Sequence, residues 1–334
     1  MLGKWDILIS KFNLNNGIIE NLYQKKEDSY RGLFPINSNI NSKIFVPTKL
    51  LIKIEDIFLK NNTVRIKDSL KYSNEIRDFF DFYQDNFSWG GGGYEAVDLF
   101  EKGLKDFPSS LKTFLKEHGI IDIESRHKGD WDNVIFNGFL KSRNVIYRGQ
   151  LVIAPIWELV NHNVNSPPFL YLADGLSTPT QLPSDSEVTF SYGSINSLER
   201  FFEYGFFSKE LKVYSIPFNK YFKELNKTLS CKGKNLNDDL MTIRKVKNTL
   251  TIEGLPISDR NFSDLPLEYW NELTRRISSN ELSKNTFLEI LIFNLKKRKD
   301  ILEYLIPVNN YSSELFKNVI DYEIRLIENS INCV

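Results

Sequence analysis

The chain has little of what most catalytic chemistry draws on. Among its 334 residues only two are cysteine and three histidine. Cys231 is isolated and Cys333 is the penultimate residue, so neither a disulfide framework nor a C-x-x-C zinc knuckle is present. His118, His127 and His162 never fall at the H-x-x-x-H or H-E-x-x-H spacing that puts a metal pair on one helix face, and no metal or zinc site is expected. No window approaches the roughly 18 apolar residues of a membrane-spanning helix. The N-terminal stretch MLGKWDILISKFNLNNG holds Asp6 and lacks the apolar run of a signal peptide, so a cytoplasmic compartment is expected. Neither sign of charge is in excess: 43 Lys+Arg stand against 43 Asp+Glu. That balance argues against a nucleic-acid backbone or an anionic membrane as the main partner.

What is present is enough apolar material for a core, 41% hydrophobic and 13% aromatic, in a length that suits about two ordinary domains. Gly32 to Phe34 and Lys43 to Val46 read as short strands around the polar turn NSNINS, closed by Pro47. Leu70, Ile76, Phe79, Phe80 and Tyr83 recur at helical steps and predict a helix over 68–87. Gly90 to Gly93 end it, and further helices are expected near 94–106 and 109–119. From about 133 to 214 short strands return. LVIAP (151–155) has buried-strand length, and EVTFSYG (187–193) alternates, with Val188, Phe190 and Tyr192 on one face. A helix at 197–204 follows, with Ser197 as N-cap, Leu198, Phe201 and Phe202 as its apolar face and Gly205 as its stop. Beyond about 235 the chain reads as helices only. The expected class is therefore α+β: a β module over 20–66 and 133–214, split by a helical insert at 67–132 and followed by an all-helical domain at 235–334.

Most catalytic motifs fail. The four glycines lack a following G-K-[ST], and Glu95 occupies the third-glycine position of G-x-G-x-x-G, which leaves a flexible helix connector. There is no G-x-S-x-G elbow. Lys296 to Arg298 reads as a solvated helix face. Asp238 with Asp239, or Asp185 with Glu187, read as ordinary loop acids.

One ordered set of residues remains. A Ser-Arg pair (Ser142, Arg143) precedes an apolar strand that runs into Asn161-His162. Tyr192-Gly193 follows, and then Asn196 with Tyr204-Gly205-Phe206. Upstream stand Arg31 to Phe34 and Val46-Pro47. In this order and spacing the chain resembles the SET-domain methyltransferases, most of all the branch of Rubisco large-subunit methyltransferase. That branch has a split module of small sheets with a knotted C-terminal segment, a helical insert and a helical C-terminal domain.

The resemblance implies a protein-lysine N-methyltransferase that uses S-adenosyl-L-methionine, yields S-adenosyl-L-homocysteine and takes a protein as its substrate. It implies Tyr192 as the catalytic hydroxyl beside the transferring methyl, and Tyr30, Arg31, Gly32, Arg143, Asn161 and His162 around the cofactor. Ser142, Glu158, Tyr171 and Tyr204 fall around the substrate lysine. Tyr30 stands where the family's first loop has glycine, and Glu158 where it usually has Asp. From alternation alone Tyr192 reads as a core tyrosine bonded to backbone, and the following Gly-x-x-Asn and Y-G-F turn that reading toward the family's tyrosine. Asn161 and His162 could cap a strand, and Arg143 could pair with a surface acid. A SET scaffold without activity, or an enzyme for another acceptor such as histidine, are the rival readings. Scarce His and Cys suit methyl transfer, an in-line displacement that needs alignment and a neutral amine rather than metals or acid pairs.

Overall fold

The computed structural model describes residues 3–27, 30–67, 71–179, 186–193, 195–222, 226–233, 242–260, 275 and 280–333. The class is α+β, as expected. Helices run at α1 (Lys4–Leu14), α2 (Asn74–Asn86), α3 (Tyr94–Lys105), α4 (Ser109–Glu117), α5 (Ile123–Arg126), α6 (Trp131–Arg143), α7 (Ser197–Tyr204), α8 (Asn280–Leu305) and α9 (Tyr311–Cys333). The chain divides into two compact units, one of residues 1–98 and 130–193, the other of 99–129 and 194–334.

In the first unit the strands are β1 (Ile18–Glu20), β2 (Leu22–Glu27), β3 (Tyr30–Pro35), β4 (Lys43–Pro47), β5 (Ile52–Lys53), β6 (Ile57–Lys60), β7 (Thr63–Ile66), β8 (Asn144–Tyr147), β9 (Gln150–Ile153), β10 (Asn161–His162), β11 (Leu170–Leu172), β12 (Gly175–Ser177) and β13 (Thr189–Phe190). They form small sheets. The largest has the order β1-β4-β12-β11, beside β2-β3, β5-β9-β8, β6-β7 and β10-β13. One apolar core serves them, with Leu8, Phe12, Leu33, Val46, Phe80, Phe139, Ile153 and Val188 completely or almost completely buried. The helical steps of α2 put Ile76, Phe79, Phe80 and Tyr83 into this core, while Leu70 lies outside the described residues. Where strands were expected from 133 the chain continues as α6, whose Val134, Ile135, Gly138 and Phe139 face the core. Leu151 of the LVIAP run is about half exposed and only its later residues are buried.

The glycine run is no loose connector. Residues 89–93 form a π turn in which the Gly93 N–H donates to the Ser88 carbonyl five residues back at 2.9 Å. The crowding suits glycine, since a Cβ at Gly93 would lie 2.7 Å from that same carbonyl.

The second unit carries β14 (Lys212–Tyr214), β15 (Phe218–Phe222), β16 (Lys227–Lys232), β17 (Thr242–Val246), β18 (Thr249–Glu253) and β19 (Pro256–Asp259). Three of these strands stand where helices alone were expected. TIRKV and TLTIE pair around a Lys247-Asn248 turn, with Lys247 at φ +51°, and their β-branched alternation buries Leu250 and Ile252. With β15 and β16 they make a sheet ordered β15-β16-β18-β17. α7 is capped by Asn196 rather than Ser197. The Glu199 N–H donates to Asn196 Oδ1 at 2.6 Å, and Glu199 Oε2 accepts the Asn196 N–H at 3.3 Å, a reciprocal capping box. Ser197 donates instead to the Ser208 carbonyl at 2.7 Å. Gly205 ends the helix in the left-handed region, at φ +75°. Arg298 corrects the reading of a solvated basic face. It is fully buried, with Nη2 2.7 Å from Glu323 Oε2, and its Nη1 donates to Asn294 Oδ1 at 2.9 Å.

Candidate functional site

Three segments far apart in sequence meet in the first unit. β10 runs parallel to β13 in the register Asn161 to Thr189 and His162 to Phe190, and an isolated bridge joins Val188 to Leu33 of β3. This pairing gives Asn161 its partners. Its Nδ2 donates to the Arg31 carbonyl and, at 2.6 Å, to Glu187 Oε1. The loop acid Glu187, read from sequence as unremarkable, is thus part of the constellation. Its position at the head of the alternating EVTFSYG strand was the signal available.

His162 and Tyr192 form the second contact. The Tyr192 N–H donates to His162 Nδ1 at 3.1 Å, the rings lie 5.1 Å apart, and the Tyr192 hydroxyl donates to the Val160 carbonyl. With Nδ1 accepting, the neutral imidazole carries its proton on Nε2. Gly193 follows at φ +95°, which turns the chain sharply after the tyrosine.

Arg31 and Gly32 lie on β3, opposite Lys26 and Lys25 of β2. Gly32 is buried. Tyr30 occupies the first position of the strand, and its side chain lies outside the described residues. The Arg31 guanidinium reaches the end of α2, where Nη1 donates to the carbonyl of Phe87, the residue that caps the helix, at 3.2 Å. Burial, and after it the like charge of Arg143, pull this guanidinium below its ordinary value, against opposing pulls from Glu95 and Tyr83.

Ser142 and Arg143 close α6. The Ser142 hydroxyl donates to the Phe139 carbonyl at 3.1 Å and accepts from Arg143 Nη1 at 2.8 Å. Arg143 also lies over the Phe139 ring, 4.6 Å from its centroid, with Nε 3.5 Å from Glu158 Oε2. Glu158 sits on the 3₁₀ turn Trp157–Leu159, its side chain only 3% exposed. Burial raises its carboxyl, while Arg143 and the hydroxyls of Ser88 and Tyr83 act the other way. Neither hydroxyl reaches it in bonding geometry: both Glu158 oxygens, Ser88 Oγ and Tyr83 Oη are buried without a hydrogen-bond partner among the described residues. Sequence reading passed over Tyr83, which the helical pattern accounts for without function, and Ser88, which lies just beyond that pattern.

Tyr171 and Tyr204 are the remaining expected residues. Tyr171 is 56% exposed on the edge strand β11, its ring 5.0 Å from Phe169. Tyr204 belongs to the second unit, at the end of α7, where the Arg200 guanidinium lies 4.9 Å from its ring centroid and burial raises its phenol. Among the described residues no group of three His, Cys, Asp or Glu could hold a metal, and no helix is long and apolar enough to cross a membrane.

No protein-family model matches the chain, and no curated protein does. Among solved structures it is similar to the SET domain of LSMT bound to lysine and AdoHcy, at 12% identity and a TM-score of 0.45, over 99% of this chain and 90% of that one. It is also similar to Rubisco LSMT bound to sinefungin and monomethyllysine, at 12% identity and a TM-score of 0.46, over 100% of this chain and 92% of that one.

Proposed function

We propose that this chain is an S-adenosyl-L-methionine-dependent protein methyltransferase of the SET kind, acting on the Nζ of a lysine in a protein substrate. The observation that carries the reading is the meeting of Arg31, Asn161-His162 and Glu187–Tyr192 through hydrogen bonds that span 130, 26 and 30 residues of sequence. These are the segments whose order resembles the family. The residues suit the cofactor on a further count. S-adenosyl-L-methionine ends in an ammonium and a carboxylate, and the guanidinium of Arg143, close enough to Arg31 for their like charges to act on each other, suits the carboxylate.

When bound, that cofactor supplies an electrophilic methyl group. Arg31, Gly32, Arg143, Asn161 and His162 would hold it, and the protein's own contribution is alignment and exclusion of water. The Tyr192 hydroxyl donates a hydrogen bond to the Val160 carbonyl, and a phenol oxygen that donates retains acceptor capacity. Such an oxygen favours a polarised C–H group placed against it. Ser142, Glu158, Tyr171 and Tyr204 are proposed on the substrate side by resemblance. The acceptor amine must be neutral to attack, so its proton has to leave before transfer.

Calorimetric titration with S-adenosyl-L-homocysteine tests cofactor binding, and saturable binding is expected. Absence of binding at millimolar ligand would leave the scaffold reading in its place. Transfer of labelled methyl groups into a lysate, followed by mass spectrometry, tests the acceptor. Label on lysine is expected, and label on histidine alone would overturn the lysine assignment.

A further inference from the structure

The glycine turn and Arg31 come from segments about 60 residues apart and fit each other closely. Gly92 adopts φ +110°, and a Cβ there would collide with Nη2 of Arg31. A Cβ on Gly91 would lie 3.3 Å from Nη1 of the same guanidinium. Arg31 donates from Nη1 to the Phe87 carbonyl just before the turn, and its own carbonyl accepts from Asn161. Both ends of the residue are therefore tied, the side chain to the helical insert and the backbone to the Asn-His strand.

We infer that Gly92 and Arg31 are a positioning pair: the glycine turn seats the guanidinium, and the seated Arg31 fixes the β3 edge on which S-adenosyl ligands are held. The inference rests on the methyltransferase reading and adds to it Gly92, a residue to which that reading gives no role. The glycine at 92 has two reasons to be there, its φ and the clearance it leaves. Only the second depends on Arg31, so the two are separable. A side chain at 92 meets the far end of a flexible arginine and would displace it, leaving the Phe87 carbonyl without that donor.

The test is a double-mutant cycle on the full chain, reading S-adenosyl-L-homocysteine affinity by calorimetry, with thermal unfolding in parallel. Gly92→Ala and Arg31→Met are each expected to weaken binding about tenfold. In the Arg31→Met background, Gly92→Ala should weaken it by less than about twofold, because the collision is gone. Arg31→Lys, which can still donate to the Phe87 carbonyl, should recover part of the affinity lost in Arg31→Met. Equal losses in both backgrounds would show that only the φ of Gly92 matters and would overturn the pairing. Should Gly92→Ala fail to fold, the arginine variants decide: Arg31→Met with wild-type affinity overturns the inference. A wild-type chain that binds no ligand would overturn the methyltransferase reading and this inference with it. Binding that is indifferent to the pair would overturn the inference alone.

Discussion

Tyr192 is held at two points, its N–H by His162 and its hydroxyl by the Val160 carbonyl. Removing the hydroxyl leaves the ring packed beside His162 and strips only the oxygen. Tyr192→Phe is therefore expected to lower turnover by about 10²-fold, the scale of losing one positioned polar group at a transition state. Ligand affinity should stay within about threefold of wild type, since the interaction belongs to the transition state rather than to binding. Steady-state kinetics with parallel calorimetry checks both, and an unchanged turnover removes Tyr192 from the mechanism. Arg298 shows where reading by residue type stops, and the enclosure of Glu158 near Tyr83, Ser88 and Arg143 was equally out of reach of the sequence. An arginine read as solvated is enclosed with Glu323, which lies 25 residues further on. Sequence gives the residue, but its enclosure is set by which elements pack over it.

At the scale of elements, α7 shows what a cap contributes. Its capping box satisfies the first-turn N–H of Glu199 and the N–H of Asn196 itself. Asn196→Ala should cost about 1 kcal/mol in denaturant unfolding with an unchanged slope, while Asn196→Ser should cost less. α5 is tied to α3 through charge. Glu101 is buried, with His127 Nε2 2.8 Å from Oε2 and Arg126 Nη2 2.5 Å from Oε1. Burial alone would raise the Glu101 carboxyl, but His127 and Arg126 outweigh it and hold the group below its ordinary value. A carboxyl lowered on folding contributes stability that is present above the unfolded value, about 4.3, and lost as pH falls through the folded one. Unfolding midpoints should accordingly drop as pH goes below about 4.3, with a shallower fall in Glu101→Gln. The same slope in both proteins would exclude Glu101 as the source. Elements of this length were the most legible ones. α2, α3 and α4 follow their apolar steps within a few residues, apart from the start of α2. The β17–β18 hairpin was not read, although Thr242, Ile243, Thr249 and Thr251 are β-branched. Strands of five residues leave a much weaker periodic trace than a helix of 26 such as α8.

For the whole molecule, the division into two units makes the proposed chemistry a statement about place. Arg31, Asn161, His162, Glu187 and Tyr192 all belong to the first unit, together with Tyr83, Ser88, Arg143 and Glu158. The β15–β18 sheet and the long helices α8 and α9 belong to the second, built around their own apolar clusters, with Phe201, Phe316 and Ile320 in one and Leu250, Ile252 and Ile257 in the other. A ligand that binds only the folded state stabilises it by about 2.7 kcal/mol at a concentration of 100 Kd. Amides that exchange by local opening gain protection only where that opening breaks ligand contacts. Hydrogen exchange with saturating S-adenosyl-L-homocysteine should therefore slow at 30–35, 161–163 and 187–192, and leave the amides of 242–253 near their unliganded rates. Protection that rises in the second unit while those three segments stay unchanged would place the ligand elsewhere. It would also detach the Asn161–Arg31 bond from function and leave it as one more link between strands.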